Sequence, residues 1–412
     1  MSGRKITRVA TAVALAGVLL YAVYCVIVIA THSDLYQWDF RSYYYAARAS
    51  ADGGNPYDPA DLSRVAGGGN VLRFVYPPVT LVAFAPFAAL PYSVAAQIWL
   101  VLKLVALGLL IYLWMKHVVT VRSEIAFALL VLFGLGRTIL VDLAAGNISI
   151  FEQCLLWAGL VCLLRRRTWL FCLAVLIVSC FKLFPILFVL LLLVLPNVKQ
   201  RWSALAATVG AFLTILGLDY ARDPARFTHF VATAVAIREH GDLGDPSLLA
   251  FIRDLADRLG AVAGMPLGGM APMLAYGAAA AAIAIITLSH LRALRRSGSF
   301  DSAASLILLF CVGYALTLPR FKNYSFILLL PAAYVAQRDL RRRSMQWLFL
   351  LLLAIPISPA IPIALPGSFN LRIHWHYHPL LLAFVIWLFC LYQTRFPFAA
   401  DQSSSRGARP MD

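Results

Sequence analysis

Charge is scarce in this sequence, and acid scarcer still. Only 13% of the 412 residues are charged, with 19 Asp and Glu set against 35 Lys and Arg. A soluble globular chain carries about 25% charged residues, so an ordinary water-facing surface is excluded. The seven cysteines (Cys25, Cys154, Cys162, Cys172, Cys180, Cys311, Cys390) all lie inside apolar runs. That excludes a disulfide framework or a cysteine metal cluster and leaves them as small core residues. The first apolar run, Val9 to Ala30, follows Arg4, Lys5 and Arg8 but lacks a small-residue cleavage site. It reads as a retained helix rather than a signal peptide.

What fills the chain instead is apolar. It is 61% hydrophobic with a mean hydropathy of +0.80, and runs long enough to cross a bilayer recur from end to end. The expected class is an all-α polytopic membrane protein, one transmembrane domain over 1–394 followed by a disordered cytoplasmic tail at 395–412. Thirteen apolar segments are recognisable. The run from Trp169 to Pro196 is too long for one helix and carries Lys182 and Pro185 in its middle, so it divides into two short arms. The segment at 75–90 is short and holds Pro77, Pro78 and Pro86, which makes it re-entrant or interfacial. About twelve crossings remain, with both ends on the cytoplasmic side.

A net charge of +16 invites a nucleic-acid partner, but the positions of the cations argue against one. They cluster at segment ends: Arg165–Arg167, Lys199 and Arg201, Arg292 with Arg295 and Arg296, and Arg338 with Arg341–Arg343. That is the positive-inside pattern. The acids go the other way, five in 31–73 and seven in 219–270. These two large loops are therefore placed together on the outer face of the plasma or inner membrane.

The polar island from Trp38 to Pro59 has no core-forming purpose. An Ala-rich stretch from Asp39 to Ala49 reads as a short amphipathic helix stopped by Gly53-Gly54. It carries Arg41, Tyr43, Tyr44, Tyr45 and Arg48. Asp39 is then either a helix N-cap or a functional acid. Asp34 is closer to the helix exit and solvated, and Asp58 belongs to a Pro-Tyr-Asp-Pro turn. Polar groups at membrane depth are functional hypotheses by default. Lys182, between Cys180-Phe181 and Leu183-Phe184, needs an anion or a route to water. Arg320 and Lys322 lie between two apolar runs on the outer side, where the positive-inside bias does not account for them. Asp142, Asn147 and Glu152 flank a break at Gly146 and read as helix-break capping. His374, His376 and His378 alternate, a spacing ill suited to a metal, and neither metal nor cofactor is expected.

Carboxylates on one loop and isolated cations at segment ends, all bordering lipid, suit a substrate with an apolar tail, a phosphate and a reacting polar group. Glycosyl transfer from a polyprenyl-phosphate sugar is that chemistry. Lysine and arginine would stabilise the departing phosphate, and one carboxylate would act as general base.

The ordered set of motifs resembles the GT-C superfamily, and most of all its family 87 polyprenyl-phosphate-mannose-dependent alpha-mannosyltransferases. It comprises Asp39 with Tyr44-Tyr45-Ala46-Ala47, Gly54-Asn55-Pro56-Tyr57, Tyr76-Pro77-Pro78, Gly146-Asn147, Lys182 with Pro185, and Pro246-Ser247-Leu248 with Arg253. The resemblance implies a GT-C fold and an inverting transferase whose first-loop acid, Asp39, is the base. It implies no nucleotide sugar. Lys182, Arg320 and Lys322 are then expected at the donor phosphate. Arg41, Tyr44, Tyr45, Arg48, Asn55, Tyr57, Tyr76, Asn147 and Arg253 are expected around the sugar and a lipid-linked or glycan acceptor. Two departures stand out. Asn147 replaces a glutamine common in the family, and Leu318-Pro319-Arg320-Phe321-Lys322-Asn323-Tyr324 replaces a histidine-bearing stretch. A transporter or flippase of an anionic or lipid-linked substrate is the competing class, and a ligase or polymerase using a diphosphate donor is a third.

Overall fold

The computed structural model describes residues 3–194, 200–237, 244–264, 269–297, 300–354 and 369–395. The expected tail beyond Arg395 lies outside the described residues. Those residues contain helices and no strand. In chain order the helices are α1 Gly3–Thr31, α2 Trp38–Ala51, α3 Pro59–Val65, α4 Leu81–Ala88, α5 Tyr92–Leu113, α6 Glu124–Ala145, α7 Ser149–Leu164 and α8 Thr168–Phe181. There follow α9 Leu191–Val194, α10 Arg201–Arg222, α11 Pro224–Ala236, α12 Leu248–Ala263, α13 Ala271–Ser297, α14 Phe300–Thr317, α15 Leu330–Arg338, α16 Arg343–Ala354 and α17 Phe369–Arg395.

Among the described residues, five helical stretches are long and apolar enough to cross a membrane: Val9–Thr31, Tyr92–Val118, Glu124–Ala145, Arg201–Arg222 and Ala271–Arg295. Seven shorter apolar helices accompany them. Pro78–Ala88 is one of these, and at 1.5 Å per residue it reaches about 16 Å, roughly half a hydrocarbon core. It does not cross. The run through Lys182 is broken as its composition demands: α8 ends at Phe181, and a 3₁₀ stretch, Phe184–Leu190, begins with Pro185 in its first turn. Another 3₁₀ stretch, Asn323–Leu329, follows the Pro319–Lys322 segment and leads into α15.

Two apolar cores result. The larger runs through the bundle. The smaller lies under a cap formed by α2, α3 and α4 and is built largely of rings, Phe40, Tyr43, Tyr44, Tyr57, Phe74, Tyr76, Phe84 and Trp99. The cap sits at one end of the bundle. At the other end, Arg165 meets His117 at 3.3 Å, Arg338 donates to the Thr120 carbonyl at 3.4 Å, and the Arg122 N–H donates to Tyr334 Oη at 2.9 Å. Cationic groups far apart in sequence thus share one end of the molecule.

Side-chain caps set several helix starts by the usual means of satisfying free backbone N–H groups. Asp58 accepts from the Ala60 N–H at 2.9 Å to start α3, so it does hold its turn together. Ser123, Asp223 and Ser247 start α6, α11 and α12 in the same way. The described residues of 219–270 are therefore largely helical.

Candidate active site

Asp39 sits in the first turn of α2, but it is not the cap. The N-cap position is Gln37, left-handed at φ 58° and making no side-chain capping bond. The Gln37 backbone N–H instead donates to the Ala144 carbonyl at 2.6 Å, tying the start of α2 to the end of α6. The carboxylate of Asp39 is half-buried and accepts a hydrogen bond from Asn147 Nδ2 at 2.7 Å. Burial pushes its pKa up from the ordinary value of 3.8. The Asn147 bond and the charges of Lys322, Lys103 and Lys182 pull it back in part. A part-exposed carboxylate whose pKa burial raises has the character of a general base.

Asn147 is oriented by its own neighbours. Its Oδ1 accepts from the Ser149 N–H at 3.0 Å and from Ser149 Oγ at 2.8 Å, which leaves the amide N–H groups for Asp39. The same N–H₂ reaches Tyr43 Oη at 2.9 Å and Tyr76 Oη at 3.3 Å, and the two phenols lie 2.8 Å apart. Two protons thus serve three acceptors, and burial, the largest influence on the Tyr43 phenol, keeps it neutral and able to donate.

The loop that carries Asn147 rests on a buried ion pair. The Lys103 ammonium has three N–H donors and all are engaged. Asp142 Oδ2 takes one at 2.7 Å, the Asp142 carbonyl another at 2.6 Å, and the Asn147 carbonyl the third at 2.7 Å. Both ionic side chains are fully buried. Gly146 makes the turn at φ 68°, and a Cβ there would meet Phe40 Cβ at 3.0 Å and Gln37 Cα at 3.1 Å. The absence of a side chain lets α2 approach, and so brings Asp39 to Asn147. Trp99 Nε1 completes the turn by donating to the Gly146 carbonyl at 2.8 Å.

Lys182 extends this network. It donates to Ser149 Oγ at 2.7 Å, pairs with Glu152 Oε2 at 2.6 Å, and lies 5.5 Å from the Tyr324 ring centre. Asp39, Asn147, Ser149, Lys182 and Glu152 therefore form one continuous hydrogen-bonded chain. Glu152 is also on the wall of an apolar cavity of about 260 Å³, whose other walls include Phe84, Phe87, Trp99, Phe151 and Phe181. A cation paired with a residue on the wall of an aromatic cavity fits an anionic head on an apolar tail.

The 319–324 segment is held over the site from two sides. Asp245 Oδ1 accepts from the Phe321 N–H at 2.9 Å and Ser247 Oγ donates to the Pro319 carbonyl at 2.9 Å. On the other side Thr138 Oγ1 donates to the Asn323 carbonyl at 2.6 Å. This places Lys322 within electrostatic range of Asp39. Arg320 lies on the same pinned segment.

Of the residues singled out in the sequence, Asp39, Tyr76, Asn147, Lys182 and Lys322 come together here. Apart from Arg320, on the pinned segment, the others lie elsewhere. Arg41 donates to the Asp34 carbonyl at 2.7 Å and stands 5.4 Å from the Tyr92 ring centre. Tyr44 Oη donates to the Leu90 carbonyl at 2.7 Å and accepts from Arg48 at 3.2 Å. Tyr45 stacks on Tyr92. Asn55 Oδ1 accepts from the Tyr57 N–H at 3.0 Å, an Asx turn, and Tyr57 Oη donates to the Tyr76 carbonyl at 2.8 Å. Arg253 is on α12, 3.2 Å from Met273 Sδ.

Sequence reasoning named Tyr43 beside Asp39 without setting it apart from Tyr44 and Tyr45, and it passed over Ser149. It also read Glu152 as a break cap rather than as the partner of Lys182. Tyr43 was within reach of it: position 43 is one helical turn after Asp39 and shares its face. Nothing local marks Ser149.

A profile of glycosyltransferase family 87 matches residues 74–319, more than half of the chain. The matched stretch includes Asn147, Ser149, Glu152 and Lys182, while Asp39 and Lys322 lie on either side of it. No curated protein and no solved structure matches the chain.

Proposed function

The chain belongs to glycosyltransferase family 87, and from that premise we propose that it moves a sugar from a polyprenyl-phosphate donor to a lipid-linked or glycan acceptor. The observation that carries the reading is the unbroken link from Asp39 through Asn147 and Ser149 to Lys182, beside an apolar cavity. It sets a base and an anion-binding cation at two ends of one rigid network. The cavity takes the first isoprenoid units, and the donor phosphate lies against Lys182 and Lys322.

In this reaction Asp39 accepts the proton of the acceptor hydroxyl as its oxygen attacks the anomeric carbon from the face opposite the phosphate. The bond from that carbon to the phosphate oxygen breaks, and its electron pair leaves with polyprenyl phosphate. The configuration inverts. Lysine charge stabilises the growing negative charge on the leaving group, a contribution that is larger in the transition state than in the bound donor. Because phosphate leaves as an anion, one carboxylate suffices where glycosidases use a pair. The site opens on the extracytoplasmic side, since the cationic end at Arg165 and Arg338 obeys the positive-inside rule. Membrane lipids surround the bundle, and nucleic acid has no part.

The test is transfer in proteoliposomes holding the purified chain, a panel of polyprenyl-phosphate sugars and lipid from a deletion strain. Release of polyprenyl phosphate together with a glycosylated product is the expected result. Movement of an intact lipid-linked substrate across the bilayer, with no bond broken, would instead establish a flippase.

A further inference from the structure

The helix that ends at Gly146 is itself broken. Within α6 the backbone leaves helical geometry at Gly134 (ψ 145°). It then turns left-handed for three consecutive residues, Leu135, Gly136 and Arg137, at φ 52°, 78° and 62°. Glycine adopts that conformation at no cost, whereas leucine and arginine are strained in it. The break is packed from several sides. A Cβ on Gly134 would stand 2.8 Å from Leu330 of α15, one on Gly136 would stand 3.4 Å from Pro379 of α17, and Phe133 lies against Tyr21 of α1.

Arg137 is the unusual member. It is the fourteenth residue of a 22-residue span with mean hydropathy 2.0, so it sits near mid-span rather than at an end. It is part-exposed, and among the described residues it makes no hydrogen bond and no ion pair. The sequence 355–368 between α16 and α17 contains no Asp or Glu, and neither do residues 369–375 at the start of α17. A guanidinium at membrane depth requires a counter-anion, and the protein does not supply one in the described residues. A broken membrane helix is tolerated where it lines a site or a cavity.

We propose that Arg137 is the anion-binding centre of a second amphiphile site, distinct from the one at Lys182, and that it takes the phosphate of a lipid lodged against the α6 break. The planar guanidinium fork matches phosphate oxygens in pairs. The next residue, Thr138, holds the Asn323 carbonyl, so an occupant at Arg137 bears on the segment that presents Lys322. The phosphate has two sources, a polyprenyl-linked acceptor or a membrane phospholipid. The acceptor assignment rests on the transferase reading above, whereas the anion site does not.

The experiment photolabels the full chain in phosphatidylcholine nanodiscs with three probes: a photoreactive polyprenyl monophosphate, a photoreactive phosphatidylglycerol and a photoreactive polyprenol without phosphate. Peptides around Arg137 are then mapped. Labelling by a phosphate probe, weak labelling by the polyprenol, and a loss of roughly tenfold or more in Arg137→Gln are expected. Arg137→Lys, which keeps the charge, should retain part of the labelling. Whichever phosphate labels more strongly names the source. Equal labelling by the polyprenol, or undiminished labelling of a folded Arg137→Gln chain, overturns the proposal. Should Arg137→Gln fail to fold, the comparison of probes on the unmodified chain still decides. Labelling that persists in Lys182→Ala separates this site from the donor site.

Discussion

The side-chain amide of Asn147 donates to Asp39 Oδ2 at 2.7 Å across 108 residues of sequence, and its carbonyl is held by Ser149. The bond has two effects. It aims the carboxylate, and it opposes the rise in pKa that burial imposes.

Asp39→Asn should fold normally, because Asp39 caps nothing and asparagine keeps an oxygen for Asn147. Loss of the base should cut turnover by roughly 10²-fold or more with donor binding retained. Sugar transfer by the purified variant, beside its thermal unfolding, is the check, and near-normal transfer by a folded variant removes Asp39 from the chemistry.

Asn147→Ala should change the pH dependence as well as the rate. A general base works deprotonated, so activity is lost as pH falls through the pKa of Asp39. Burial already places that pKa above the ordinary 3.8. Removing a hydrogen bond to the charged form raises it further, and the acid limb of the pH–rate profile should move to higher pH. A uniform loss with an unmoved acid limb would mean that Asn147 only packs.

Lys182→Ala should raise the donor KM and lower kcat, because the charge that binds the phosphate also stabilises its departure. It also strands Glu152, whose side chain is only 9% exposed, and stability should fall. Adding Glu152→Gln should restore the melting temperature and leave transfer low. Full recovery of transfer in the double variant would show that Lys182 serves only to neutralise Glu152.

Lys103→Ala should be among the most destabilising single changes, about 3–5 kcal/mol, since Asp142 is left charged and buried without a partner. Lys103→Met with Asp142→Leu should recover part of this. The recovery stays partial because the carbonyls of Asp142 and Asn147 each lose a donor, at about 1 kcal/mol apiece. Chemical denaturation in detergent measures both.

What the sequence by itself determined is what local chemistry controls. Hydropathy and the scarcity of charge make the chain a bundle of membrane helices. Pro185 beside Lys182 breaks one of them, and Gly53 with Asp58 bounds the short elements of the cap. Asp39 was legible as either a helix N-cap or a functional acid, and Lys182 as a cation needing an anion. Which polar groups meet was not legible. Hydrogen bonds select partners at about 3 Å, and hydropathy places a residue only to within a turn or a face. Tyr44 and Tyr43 look alike in the string, yet one turns to the Leu90 carbonyl and the other to Asn147. The α6 break at Leu135–Arg137 carries no proline to announce it. Packing against α1, α15 and α17 decides that, and only the tertiary structure contains those contacts.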